Sequence, residues 1–138
     1  MKDILKDFDG YLAFDSIIEP SEDSIHYKGK IYLLVDNGVY SSAEMLASFC
    51  KETKLATLVG SRTAGDGIGF DPMQVALPNT AFVLRFSNVM GVTESGSINE
   101  LDQTMPDIIV QESEEEKTGY LENQRIIKAV MRDAGLSK

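Results

Sequence analysis

The chain has one cysteine, Cys50, and one histidine, His26. A single thiol cannot form an internal disulfide, and neither residue is numerous enough to build a cysteine- or histidine-based zinc site. Cations are scarce too: 13 Lys and Arg stand against 22 Asp and Glu, a formal net charge of −9. Nucleic-acid binding needs clustered Lys and Arg against phosphate, so that class is excluded. No apolar run approaches the ~20 residues of a membrane-spanning helix. The opening M-K-D-I-L-K-D-F-D-G is charged throughout and lacks the apolar core of a signal peptide. As written, the residues suit a soluble chain in a reducing compartment; a trimmed sequence would have lost any export signal.

What is present is ordinary globular material. The 138 residues are 43% hydrophobic and 25% charged, enough for one domain with a real core. The first thirty residues are mixed and acidic, with Pro-Ser-Glu-Asp at 20–23 as a turn signal, and read as a weakly structured approach with a short helix near the start. Residues 31–138 form the main unit. Ile31 to Val35 is a continuous apolar run, the pattern of a strand buried on both faces of a parallel sheet. Asp36-Asn37-Gly38 ends it.

From Ser42 to about Thr53 the period becomes helical, with Ala43, Leu46, Ala47 and Cys50 on one face and Met45 and Phe49 widening it. This predicts a well-buried helix with Cys50 in the core. Leu55 to Val59 reads as a second strand, which makes a βαβ unit. Next comes a glycine-rich loop, G-S-R-T-A-G-D-G-I-G-F-D. Met73–Leu77 and Ala81–Phe86 flank Pro78-Asn79-Thr80 as a hairpin. A polar segment runs to Thr104, a corner falls at Met105-Pro106-Asp107, and Ile108 to Val110 is a short strand. Glu112 to Lys117 reads as a solvated link. Tyr120 to Ala134 reads as a closing helix with Ile127, Val130, Met131 and Ala134 inward and Gly135 at its C-cap.

Two serines open the first helix. Ser41-Ser42-Ala43-Glu44 fits the capping box, in which the first hydroxyl bonds an amide of the first turn and the glutamate reaches back. On this motif alone the structural reading stands first. The functional reading also has a physical basis: a serine at a strand-to-helix corner shares its space with free amides at the positive end of the helix dipole. Such amides suit an oxyanion, but a serine nucleophile still needs a base. In the glycine loop, Gly65-Asp66-Gly67-Ile68-Gly69 does not fit a dinucleotide fingerprint, and a substrate-lining loop competes with an uneventful one. Asp66 and Asp71 are too little to argue a metal, and Arg85 and Asn88 fit solvated strand positions as well as peptide contacts.

The segments K-I-Y-L-L-V-D-N-G-V-Y-S-S-A-E-M-L-A and L-A-T-L-V-G-S-R-T-A-G-D-G, with L-P-N-T-A-F-V-L-R-F and I-N-E-L-D-Q-T-M-P-D-I-I-V, resemble the carboxyl-terminal processing (tail-specific) protease family and its tricorn-like relatives. The resemblance runs from about Lys28 to Val110 and keeps four blocks in order. It implies an α/β fold with the ββα superhelical core of the Clp-protease and crotonase-like proteins, present as a partial domain. It implies a serine-type endopeptidase acting on a polypeptide substrate without metal or organic cofactor. Ser41 would be the nucleophile, Ser42 would give its amide to the oxyanion hole, and Gly65, Asp66 and Gly67 would line the substrate loop. Relatives of this kind often work outside the cytoplasm.

The chain departs from that pattern in places. Members with a Ser–Lys dyad carry lysine within T-x-G-K-G, where this chain has Asp66, so the lysine mechanism is not supported. Tricorn-like members use Ser, His and Glu; Glu100 matches their glutamate in E-x-x-G-x-x-P-D, although Gln103 stands in place of its glycine. The family histidine and a second oxyanion amide come from well upstream, in a region this chain does not include. His26 is expected at the opposite end of the first strand from Ser41, as a surface residue. The expectation is therefore part of a longer peptidase, inactive alone, whose upstream segment supplies the base and the second amide. The alternatives are a non-catalytic binding or scaffold module that keeps the fold and, less favoured, crotonase-like acyl-CoA chemistry.

Overall fold

The computed structural model describes residues 6, 8–13, 17–69, 71–111 and 119–136, with backbone alone at 119–123. The short helix expected at the very start and the acidic link from Glu112 to Lys117 lie outside the described residues. The elements in order are β1 (Tyr32–Val35), α1 (Ser42–Thr53), β2 (Thr57–Gly60), β3 (Met73–Ala76), β4 (Val83–Phe86), α2 (Asn99–Asp102), β5 (Ile108–Ile109) and α3 (Gly119–Asp133).

Strands β1, β2 and β5 form one sheet in that order, and both pairings are parallel. Leu33 lies opposite Leu58, and Val59 opposite Ile108. Parallel neighbours need a crossover, and α1 supplies the first one. The core is small: Val35, Ala47, Cys50, Ala56 and Leu58 pack together, with Leu33 and Val39 against them. Burial pushes the Cys50 thiol up from its ordinary value, which fits a core side chain.

Three burial expectations need correction, the first two at β1 and α1. β1 is not covered on both faces: only Val35 is buried and Leu34 is exposed. Among the described residues β1 pairs on one side alone, so it is an edge strand. Helix α1 has the expected period but a shifted phase. Its inward stripe is Glu44, Ala47, Ser48 and Cys50, whereas Met45, Leu46 and Phe49 are exposed. The cause is Glu44, which polar partners hold inside.

The hairpin forms as expected, with Met73 opposite Phe86 and Ala76 opposite Val83. All eight of its strand residues are exposed, so it stands off the sheet. Helix α3 buries Ile126 (5% exposed) rather than Ile127 (46%), one position round the helix from the face the sequence suggests. Its end matches expectation: Gly135 has φ 71, its N–H reaches Arg132 O at 3.1 Å, and Leu136 N–H reaches Met131 O at 2.8 Å. These are the paired bonds of a Schellman cap, which the left-handed glycine permits. Asp133 ties α3 to the start of β1, accepting from Tyr32 Oη at 2.8 Å and pairing with Lys30. No helix among the described residues is long and apolar enough to cross a membrane.

Candidate active site

Ser41 sits where β1 has ended and α1 begins, at φ 57 and ψ −131, and its side chain makes no capping hydrogen bond. The capping-box reading is therefore overturned. An L-residue at positive φ is strained, since Cβ crowds its own backbone. The helical bonds start with Glu44 N–H to Tyr40 O at 3.4 Å and Met45 N–H to Ser41 O at 2.9 Å. The amides of Ser42 and Ala43 precede them, at the end where helix amides lack intrahelical partners. The corner thus exposes a serine hydroxyl beside an electropositive helix mouth.

The other half of the supposed capping box goes elsewhere. Glu44 is fully buried, and its Oε1 accepts from Asn99 Nδ2 at 2.7 Å and Thr104 Oγ1 at 2.6 Å. Its Oε2 is buried with no hydrogen-bond partner among the described residues. Asn99 Oδ1 in turn accepts from Gly67 N–H at 2.9 Å. A Cβ at Gly67 would come within 2.5 Å of the Glu44 side chain and 2.6 Å of Met45 N, so only glycine fits this approach. Thr63 and Thr104 close the arrangement: Thr104 N–H donates to Thr63 Oγ1 at 2.8 Å, and Thr63 N–H donates to Thr104 O at 3.2 Å.

The glycine loop runs beside the serine corner. Ala64 N–H donates to Val39 O at 2.9 Å, and Tyr40 and Gly65 form a parallel bridge. One residue further along each segment come Ser41 and Asp66, both exposed and both at positive φ. Gly65 and Gly67 are buried. The loop residues singled out in the sequence are therefore brought to the serine.

Glu100 lies on α2, a single turn missed within the polar segment. The turn is held by Ile98, which is fully buried, and by Asp102 Oδ2, which accepts from Ile98 N–H at 2.8 Å. Glu100 Oε1 accepts from Gly91 N–H at 3.4 Å, and Oε2 is buried without a partner among the described residues. A carboxylate oxygen desolvated and left open is costly unless a donor meets it. Gln103 ends α2 at φ 57 and ψ −176, a conformation that is essentially glycine-only. The turn survives the missing glycine but carries strain.

His26 is exposed and lies before β1, whereas Ser41 follows it. It takes no part in this cluster, as expected. Asp107 of the P-D corner braces the sheet against α1. Its Oδ2 accepts from Leu58 N–H at 2.9 Å, and its Oδ1 pairs with Lys51 on the helix. A hollow of about 410 Å³ lies at the carboxyl end of the sheet, between Asn37, Arg62, Met105 and Ile109. Ser41 does not line it, so the site rests on the serine corner and its polar network, not on that hollow. Among the described residues no group of three or more His, Cys, Asp or Glu is placed to hold a metal.

Sequence reasoning missed Asn99, Thr63 and Thr104, and gave Glu44 the wrong partner. The only signal was position: each lies within one of the four blocks, within two residues of one already singled out.

The model of one peptidase family, Peptidase family S41, matches residues 9–110. No curated protein matches the chain. Among solved structures, mature CPAF complexed with lactacystin matches with a TM-score of 0.65 at 23% identity, over 85% of this chain and 23% of that one. A candidate peptidase from Parabacteroides merdae matches with a TM-score of 0.65 at 23% identity, over 83% of this chain and 34% of that one. The chain thus spans about a quarter to a third of the solved chains it resembles. At such identities the structural likeness speaks for the α/β fold, and the family match, over most of the sequence, speaks for descent. Because that match runs over most of the sequence, the chain belongs to peptidase family S41.

Proposed function

We propose that this chain is the nucleophile-bearing part of a serine endopeptidase whose substrate is a polypeptide. The observation that carries the reading is the backbone of Ser41, held at φ 57 and ψ −131 with its hydroxyl left out of the helix cap. Backbone strain of this kind clusters at active sites, where it holds a reacting group in place. In the reaction, Ser41 Oγ gives its proton to a histidine and attacks the scissile carbonyl carbon. The Ser42 amide and a second amide hold the oxyanion. Collapse returns the proton to the leaving amine and leaves an acyl-enzyme, which water hydrolyses by the same steps. Glu100 Oε2 accepts the other ring N–H of the histidine and fixes its tautomer. The histidine and the second amide come from an upstream segment of a longer parent, so this chain alone is inactive. No metal or organic cofactor enters, and the Gly65–Asp66–Gly67 turn borders the peptide.

A second reading is a peptide-binding module that keeps the fold without turnover. Asp66 at the lysine position favours it, because a carboxylate cannot serve as the neutral amine base. The two are separated by labelling with a fluorophosphonate probe, on this chain and on its longer parent, with the adduct mapped by mass spectrometry. Labelling of Ser41 in the parent, absent from the chain alone and from the Ser41→Ala parent, is the expected outcome. If the parent stays unlabelled, the acyl-enzyme is ruled out and the binding module takes its place.

A further inference from the structure

Three parts of the proposed site come from separated segments: Ser41 opens α1, Gly65 to Gly67 form the loop beside it, and Glu100 lies on α2. One side chain touches all three segments. Asn99 is 2% exposed; its Nδ2 reaches Glu44 Oε1 at 2.7 Å, three residues after Ser41, and its Oδ1 takes the Gly67 N–H at 2.9 Å. It directly precedes Glu100 in the chain.

We infer that Asn99 is a positioning residue that locks the serine corner, the glycine loop and Glu100 into one register. This rests on the reading of Ser41 and Glu100 as members of one reacting set. An amide suits this position because it both donates and accepts, while its partners are a carboxylate, which only accepts, and a backbone N–H, which only donates. Neither aspartate nor leucine, though close in size, can satisfy both. Burial raises the stakes, since a broken member would leave a desolvated carboxylate and an orphan amide. Glu44 is oriented by the same bond, and Thr104 Oγ1 shares its Oε1 at 2.6 Å, so the lock is braced from the segment between α2 and β5.

The test compares Asn99→Asp, Glu44→Gln and the double variant carrying both, which swaps the amide and the carboxylate across the same bond. Hydrogen exchange is read at three places: the Gly67 amide, the first turn of α1 at Met45, and the Gly91 amide that Glu100 holds. Asn99→Asp sets two carboxylates together, and exchange should rise about tenfold or more at all three while Leu58 and Val59 in the sheet keep their protection. The swapped pair should restore protection at all three. A rise at Gly67 alone, or an equal rise across Leu58 and Val59, would overturn the inference, the first showing a local bond and the second a general loss of stability. The fluorophosphonate rate at Ser41 in the parent protein is followed alongside. If the three amides respond together and unmodified parent Ser41 never labels, the register lock stands and the acyl-enzyme reading falls. If Ser41 labels and Asn99→Asp changes neither its rate nor the three amides, the lock falls and the acyl-enzyme stands.

Discussion

At the scale of single residues, Ser41 shows most plainly how chemistry and stability pull apart. Its φ of 57 and ψ of −131 suit glycine, and its hydroxyl gains no cap bond in return. Backbone strain of this kind costs about 1–3 kcal/mol. Ser41→Gly should therefore raise stability by about 1 kcal/mol, read as a higher urea midpoint, while removing the hydroxyl the probe needs. Ser41→Ala keeps the Cβ and should leave the midpoint within about 0.5 kcal/mol of the parent value. If the glycine variant is no more stable than the alanine one, the corner is not strained, and the case for a held nucleophile loses its main support. His26 and Asp66 are the other residues a serine mechanism could recruit in this chain. The first sits beyond the far end of β1, and the second has the wrong charge.

At the scale of elements, α2 has a single turn, too short to persist on propensity alone. It is fixed instead by what surrounds it: buried Ile98 and Asn99 on one side, and Asp102 folded back to the amide of Ile98. Its far end passes through Gln103 at φ 57 and ψ −176. Gln103→Gly should stabilise the chain by about 1 kcal/mol, since the relieved strain exceeds the added backbone entropy and the long 3.4 Å bond from Gln103 Nε2 to Ala64 O contributes little. Thermal unfolding of the two forms decides it; a lower midpoint for the glycine form would place the value of Gln103 in its side chain. Helix α1 illustrates the opposite case, a long element whose period was legible but whose phase was not. Apolar Leu46 and Met45 point outward because buried Glu44 fixes the rotation.

At the scale of the whole molecule, one carboxylate joins the sheet to the crossover helix. Burial works to raise the Asp107 pKa, but the bonds from Lys51 and from the Leu58 amide outweigh it and hold the carboxyl below its ordinary 3.8. A group depressed on folding contributes its full stabilisation above the unfolded value and loses it as pH falls through the folded one. Stability should accordingly drop below about pH 4. Asp107→Asn should cost about 1 kcal/mol at neutral pH and flatten that acid limb, because Lys51 loses its partner while Leu58 N–H keeps an acceptor. Urea midpoints between about pH 3 and 7 check it. An unchanged acid limb in the variant would assign the acid sensitivity to other carboxylates.

The sequence alone determined the α/β class, the strand–helix–strand order, the hairpin, the glycine cap at Gly135 and the family, because these are written in local signals: period, turn residues and the order of motif blocks. It also brought attention to Ser41 and Glu100. Only the tertiary structure decided that S-x-x-E is not a cap, that Glu44 turns inward, and that Asn99 and Thr104 meet it across 55 and 60 residues of chain. A hydrogen bond between distant segments leaves no periodic trace in sequence. A backbone angle imposed by packing, as at Ser41 and Gln103, runs against local preference, so local preference could not announce it.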